Sequence, residues 1–267
     1  MYTIFGPWTL QTFTVVVGLA IVLSAGIGIQ RARQGKLVSP SGSPVVLVTD
    51  SYLGALVGGV VVGRIFHVLL SWDYFRFNFQ EAFNVSAGGL DWHGAVLGGL
   101  FGLYLITRWR KASFRDLLDP LTLALPLVGM AAWWGCLASA CGYGQEVDNL
   151  SRYPSYAVTE APDIFGIVAP RYNTQLYGVA LSLLVLGLAL LLLRLGWLRG
   201  SRYWVILLAL SLGMFTIGFW RGDYSLYAFG LRADQVLDAL LAAIAVGSLL
   251  SPLTFQRATV RRQQTSA

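Results

Sequence analysis

Charge is scarce in this chain: Asp, Glu, Lys and Arg together make up 12% of 267 residues, whereas 56% are hydrophobic. That balance excludes an ordinary soluble domain, in which about a quarter of residues carry charge. Histidine and cysteine are scarcer still, with two of each. His67 and His93 have no carboxylates at metal-ligand spacing around them, so no metal site is suggested. Cys136 and Cys141 are too few for a disulfide framework, although they can pair with one another. The glycine clusters lack a following Lys-Ser or Lys-Thr, which leaves no nucleotide loop, and no cofactor is expected. Inverted repeats of the transporter kind are not detectable.

What is abundant is apolar sequence in runs of about 18 to 22 residues, the length a helix needs to cross roughly 30 Å of hydrocarbon. Seven spans are predicted: Trp8 to Gln30, Ser51 to Ser71, Leu90 to Thr107, Leu117 to Leu137, Leu176 to Leu193, Tyr203 to Trp220, and Val236 to Leu253. The expected fold class is an all-α membrane protein, a bundle of about seven transmembrane helices. Residues 1–267 read as a single polytopic membrane domain. The first span is too long, and lacks the basic n-region, to be a cleaved signal peptide.

Basic residues set the orientation. Arg31, Arg33 and Lys36, then Arg108, Arg110, Lys111 and Arg115, then Arg194, Arg199 and Arg202, and finally Arg257, Arg261 and Arg262 fall in alternate connections. The intervening connections hold Arg76, then Arg152 and Arg171, then Arg221 and Arg232. The N-terminus is therefore expected outside and the C-terminus in the cytoplasm. The net charge of +6 belongs to inner loops facing anionic headgroups, so no nucleic-acid partner is expected.

With depth assigned, polar residues of five helices reach one leaflet. Arg64 and His67 lie three apart on one face of the second span. An arginine within a span costs roughly 2.5 to 3.5 kcal/mol on insertion scales, so it should face the bundle interior, either as a helix-to-helix hydrogen bonder or as an anion site. The stretch GGLDWHGAVLGG, Gly88 to Gly99, brings Asp91 and His93 to the outer end of the third span. His93 reads either as a satisfied interfacial polar group or as a catalytic one. The glycines of that stretch serve either close helix packing or close approach of a lipid. Gly135, Cys136, Ser139, Cys141, Tyr143, Asn173, Thr174, Gln175, Tyr177, Arg221 and Asp223 collect on the same side. Trp133 and Trp134 read as an interfacial belt or core filler. Asp116, Asp119 and Asp238 read as structural charges at helix starts.

GGLDWHGAVLGG resembles the GGL-x-x-HGG-x-x-GG block of the prolipoprotein diacylglyceryl transferases. The resemblance extends through IFGPWTLQTF (Ile4 to Phe13), VGRIFHVLLSWDYF (Val62 to Phe75), LLDPLTLALPL, WWGCLASACGYG, NTQLYG (Asn173 to Gly178) and FTIGFWRGD, in order. It implies a multi-pass enzyme of the bacterial inner membrane with its site facing the outer leaflet. Such an enzyme moves diacylglycerol from phosphatidylglycerol, or a similar anionic lipid, to the cysteine thiol of a prolipoprotein lipobox peptide. A thioether forms and glycerol phosphate leaves. On that resemblance His93 and Arg221 are the catalytic residues and Arg64 and Arg221 hold the lipid phosphate. Gly94, Gln175, Tyr177 and Ser139 support them.

The chain departs from the family pattern in one direction. Trp133 and Met214 stand where the pattern has arginines, Gly178 and Gly218 where it has glutamates, Phe13 where it has a tyrosine, and Cys136 and Ser139 where it favours asparagine or cysteine and then asparagine. Each lost charge-assisted bond to a phosphate forfeits about 1.5 to 3 kcal/mol. Three readings follow: a transferase with a rebuilt phosphate clamp, a transferase with another headgroup or acceptor, or a non-catalytic lipid-binding or accessory paralogue.

Overall fold

The computed structural model of the chain describes residues 2–5, 8–34, 43–85 and 88–265. An antiparallel hairpin of β1 (Tyr2–Phe5) and β2 (Trp8–Gln11) leads into α1 (Thr12–Arg33). The first span thus begins at Thr12, four residues later than its apolar sequence suggests, because Trp8–Gln11 pairs as a strand instead of continuing the helix.

α2 (Pro44–Leu70) starts seven residues before the predicted span, with Pro44 at its first position. Proline suits that place, since its missing N–H has no intrahelical partner there. A single turn, α3 (Trp72–Phe75), and a 3-10 helix (Phe79–Phe83) lead to α4 (Trp92–Arg110).

The fourth span is broken into α5 (Phe114–Leu121) and α6 (Ala124–Ser139), bent by 42°. Pro120 lies inside α5, where it removes an N–H from the helical ladder, and the ring of Pro126, in the first turn of α6, excludes a helical carbonyl at Thr122, in the break. A hairpin of β3 (Val158–Pro162) and β4 (Val168–Tyr172) precedes α7 (Thr174–Leu195). α8 (Arg202–Ile217) ends in a 3-10 turn (Gly218–Trp220). The two-residue strands β5 (Tyr227–Ala228) and β6 (Leu231–Arg232) then introduce α9 (Ala233–Thr265).

Among the described residues five helices are long and apolar enough to cross a membrane, and a sixth if α5 and α6 form one span. α4 is the difference from the predicted seven. Its length is 19 residues, but His93, its glycines and its terminal Trp-Arg pair dilute its apolar character. Lys36 lies outside the described residues, as do the side chains of Arg257, Arg261 and Arg262.

α2 and α4 run antiparallel in close contact. A Cβ on Gly58 or on Gly102 would collide with the backbone carbonyl of Gly98 or of Gly54 respectively. Gly94 abuts Phe66, whose Cβ lies 2.6 Å from where a side chain would begin. Small residues let the two backbones approach, the usual way membrane helices associate. Gly94, Gly98 and Gly102 therefore serve packing, whereas Gly99 meets Ala55 of α2 more loosely, at 3.4 Å or more.

The two ends of the bundle differ. At the basic end Arg110 pairs with Asp50, and Arg202 donates to Asp119 at 3.2 Å. Asp119 also accepts the Gly200 N–H at 3.0 Å, so its structural reading holds. Between the ends lies an apolar core that includes Leu103, Leu118, Ile206, Leu207, Leu210 and Leu241, each no more than 1% exposed. Outward-facing residues such as Leu184, 74% exposed, are equally apolar, as a lipid-facing surface requires.

Candidate active site

The site begins with the start of α4. Asp91 caps that helix, its Oδ1 accepting the Gly94 N–H at 2.8 Å. A capping carboxylate satisfies one of the orphan donors of the first turn. The Asp91 backbone N–H donates to the Gly63 carbonyl at 3.0 Å and so fixes the start of α4 against α2.

His93, two residues on, is buried with 5% exposure. Its Nδ1 lies 3.4 Å from Asp91 Oδ2, and its Nε2 lies 3.1 Å from Asp238 Oδ1 on α9. Asp238 is itself buried, at 3% exposure. Its expected role as a simple helix-start charge gives way to that of a direct partner of His93.

Beyond the end of α8 a second polar group forms a closed ring of charges. Arg221 donates to both oxygens of Asp223, at 2.9 and 2.5 Å, and pairs with Asp234 at 2.7 Å. Arg232 reaches the same two carboxylates at 3.1 and 3.0 Å. Burial works against the Arg221 charge, but the hydrogen bonds and charges of Asp223 and Asp234 outweigh it and raise its pKa. The guanidinium stays charged, and with 24% of its side chain exposed it can meet a ligand.

Arg64 is placed differently from expectation. Its Nε donates to the Ala82 carbonyl at 2.9 Å, Nη1 to those of Gly88 and Gly89 at 2.6 and 2.9 Å, and Nη2 to that of Glu81 at 2.6 Å. Four of its five donors are thereby engaged by the loop between α3 and α4, which its guanidinium holds in place. Gly89 makes this possible. Its φ is +81°, and a Cβ there would stand 2.6 Å from His67 Cδ2 and 2.9 Å from Arg64 Nη1.

The supporting residues anchor the loops of the same end. Gln175 donates to the Cys141 carbonyl at 2.9 Å, Thr174 to that of Gly142 at 2.6 Å, and Tyr177 to that of Ala157 at 2.6 Å. Cys136 and Cys141 are joined in a disulfide across the end of α6. Ser139 lies exposed between them. Past Cys141, the chain pairs with the segment after α8: Gly222 N–H donates to the Tyr143 carbonyl at 2.8 Å, and Gln145 N–H to that of Trp220 at 2.8 Å.

Trp133, Gly178 and Met214, three of the positions set apart in the sequence, lie together. Trp133 is buried, and the nearest atoms to a Cβ added at Gly178 are those of its indole ring, in collision. Trp133 packs with Val179 and Ile217, and Met214 lies against this group. Gly218 is filled by Gln235, whose Cγ would be 2.5 Å from an added Cβ. The indole thus occupies the room that glycine leaves, and Trp133, Val179, Ile217 and Met214 form one apolar cluster there. The Arg221 guanidinium stands 5.9 Å from the Trp133 ring centre, within cation–π range.

A cavity of about 250 Å³ runs between α1, α2, α4, α5 and α6. Leu90, Asp91 and Trp92 line one end, and Tyr52, Leu118 and Tyr203 line the other. Its wall is almost wholly apolar, with Gly99 facing into it. Tyr52 closes the far end by donating to the Ser24 and Pro120 carbonyls at 2.9 and 3.1 Å. Among the described residues no group of three or more His, Cys, Asp or Glu side chains is arranged to hold a metal ion.

Apolar spanning helices, an apolar-lined cavity and an ionisable cluster that reaches its wall through Asp91 together define a helical membrane protein with a candidate site at one end of the bundle. The comparisons narrow this class. Residues 1–251 match the family described as prolipoprotein diacylglyceryl transferase, and the chain belongs to that family. It is 26% identical over 247 residues to the phosphatidylglycerol--prolipoprotein diacylglyceryl transferase of Clostridium novyi (strain NT), covering 92% of each chain. The enzyme of the same name from Symbiobacterium thermophilum is 29% identical over 244 residues, 90% of this chain and 88% of the relative. That of Acaryochloris marina is 27% identical over 257 residues, 93% and 90% respectively.

Proposed function

We propose that this chain transfers the diacylglyceryl group of phosphatidylglycerol to the cysteine thiol of a prolipoprotein lipobox, as one seven-span domain of the bacterial inner membrane, acting at the outer leaflet with its N-terminus outside. The observation that carries the reading is a continuity. Asp91 lines the apolar cavity and also stands against His93, so a lipid chain seated in the cavity ends beside the ionisable cluster. The family assignment favours an enzyme, and the accessory-protein alternative draws no support from relatives that are named as transferases.

The transfer forms a bond between the thiol sulfur and the glyceryl carbon and breaks that carbon's bond to the phosphate oxygen. The electron pair leaves with glycerol phosphate, and the thiol proton has to be taken up nearby. The Asp91, His93 and Asp238 group is the acid–base machinery of the cavity mouth. Arg221 is the phosphate ligand, exchanging part of its hold on Asp223 and Asp234 for phosphate oxygens. Arg64 contributes by fixing the Gly88–Gly89 turn. Gln175, Tyr177 and Ser139 shape the loops above, and Gly94 lets α4 seat against α2.

Orientation is supported by the separation of the two ends. Arg110 and Arg202 are at one end, as inner-loop cations should be, and the His93 cluster is at the other.

The test is complementation. The chain is expressed in cells depleted of their own diacylglyceryl transferase, and growth and thioether lipid on a reporter prolipoprotein are followed beside His93→Ala. Lipidation that depends on His93 is expected. Well-expressed, membrane-inserted protein that lipidates nothing contradicts the reading.

A further inference from the structure

Three observations bear on which group of the cluster meets the substrate. Asp91 is part of the cavity wall, and His93 stands behind it. Both ring nitrogens of His93 face carboxylate oxygens, Nδ1 toward Asp91 at 3.4 Å and Nε2 toward Asp238 at 3.1 Å. Asp238, brought from α9, is buried against that ring.

A neutral imidazole has one N–H and one lone pair. Between two carboxylates it would turn the lone pair on one of them and leave a buried charge uncompensated, which is costly. An imidazolium donates to both. The surrounding charges leave this role to His93. Arg221 and Arg232 are matched by Asp223 and Asp234. On the α2 side Arg64 is engaged by carbonyls, and His67 stands across Gly89. Of these, Asp234 and Arg221 lie near enough to Asp238 to act on it electrostatically.

We propose that Asp91 is the proton acceptor of the transfer, and that Asp238 is a positioning residue that holds His93 behind it as an imidazolium. This rests on the transferase reading above. Carboxylate, imidazolium and carboxylate together carry one net negative charge and have room for one proton. The thiol proton passes to Asp91 while the sulfur electron pair forms the S–C bond. The C–O pair departs on glycerol phosphate, and Asp91 then returns the proton to a phosphate oxygen. Protons and charge balance without any further reactant. His93 is thereby a fixed cation that holds the Asp91 carboxylate in place at the cavity wall and does not itself take the proton.

The chain has two histidines, so ¹⁵N-histidine labelling in lipid nanodiscs reads the ring directly, with His67→Gln identifying the second signal. Both His93 nitrogens are expected at imidazolium positions at pH 7.5. Asp238→Asn should lower the midpoint of that signal by at least about one pH unit, with helicity retained by circular dichroism. In lipid transfer to a synthetic lipobox peptide, Asp91→Asn should reduce kcat by at least about 100-fold, with KM within about threefold of the parent. Asp91→Glu should restore part of the rate. A neutral His93 in the parent protein, or an Asp91→Asn variant of undiminished kcat, overturns the proposal. A protein that transfers no lipid yet shows an imidazolium overturns the acceptor role, together with the transferase reading, and leaves the charge state of His93 established.

Discussion

Asp238 follows His93 by 145 residues, yet its Oδ1 lies 3.1 Å from His93 Nε2. The contact joins the third span to the last one and places a carboxylate and an imidazole together where neither meets water. Removing one member of a buried charged pair leaves the other uncompensated, which costs about 3–5 kcal/mol. Asp238→Ala should therefore destabilise the protein by that amount in unfolding measurements in detergent, and Asp238→Asn by clearly less. Equal stability of Asp238→Ala and the parent would show that the pair is not formed.

Gly178 and Trp133 make a steric prediction. Since the indole fills the space beside Gly178, Gly178→Ala should overpack the site at a cost of about 1–3 kcal/mol. Combining it with Trp133→Ala, which vacates the space, should make the two effects strongly non-additive. Thermal unfolding of the single and double variants checks this.

Arg64 is predicted to act on structure more than on phosphate. Arg64→Leu removes four bonds to carbonyls of the loop between α3 and α4. Hydrogen bonds to a charged group contribute about 1.5–3 kcal/mol each, so the loss is large, and Arg64→Lys cannot reproduce the fork of donors. Both variants should raise hydrogen exchange and protease cleavage around Gly88 and Gly89. An effect confined to phosphatidylglycerol affinity would contradict this.

The Cys136–Cys141 disulfide closes a short loop, for which chain-entropy arguments give about 2 kcal/mol. Cys136→Ser should lower stability by about that much. It should also loosen the segment in which Gln175 holds the Cys141 carbonyl, read as faster exchange of the amides from Gly142 to Gln145.

Much of the fold was legible in the sequence because a bilayer imposes one length and one polarity on every span. The exceptions have local causes. Trp8–Gln11 is apolar enough to extend the first span, and only its pairing with Tyr2–Phe5 makes it a strand. The bend between α5 and α6 arises from Pro120 and Pro126, which hydropathy does not register.

The site was legible in part. His93 stood out because a polar residue among glycines at a span's end is unusual. Asp238 did not, since a carboxylate in the first turns of a helix ordinarily answers to the helix dipole, and nothing in its neighbourhood points across the bundle. Both Trp133 and Gly178 were visible as departures, but that one fills the space of the other is a property of α6 and α7 packed together. Arg64 stood out as a charge within an apolar span. Its engagement with Glu81, Ala82, Gly88 and Gly89 depends on a loop of irregular backbone, which has no periodicity to read.

The central claim is lipid transfer at the mouth of the cavity. The most direct measurement is mass spectrometry of a synthetic lipobox peptide incubated with the purified chain in phosphatidylglycerol nanodiscs. Parallel samples carry His93→Ala and Arg221→Ala. The account predicts a diacylglyceryl adduct on the cysteine with the parent protein, release of glycerol phosphate in equal amount, and loss of both with either variant. An unmodified peptide with well-folded parent protein, or an adduct that forms equally with His93→Ala, would contradict it.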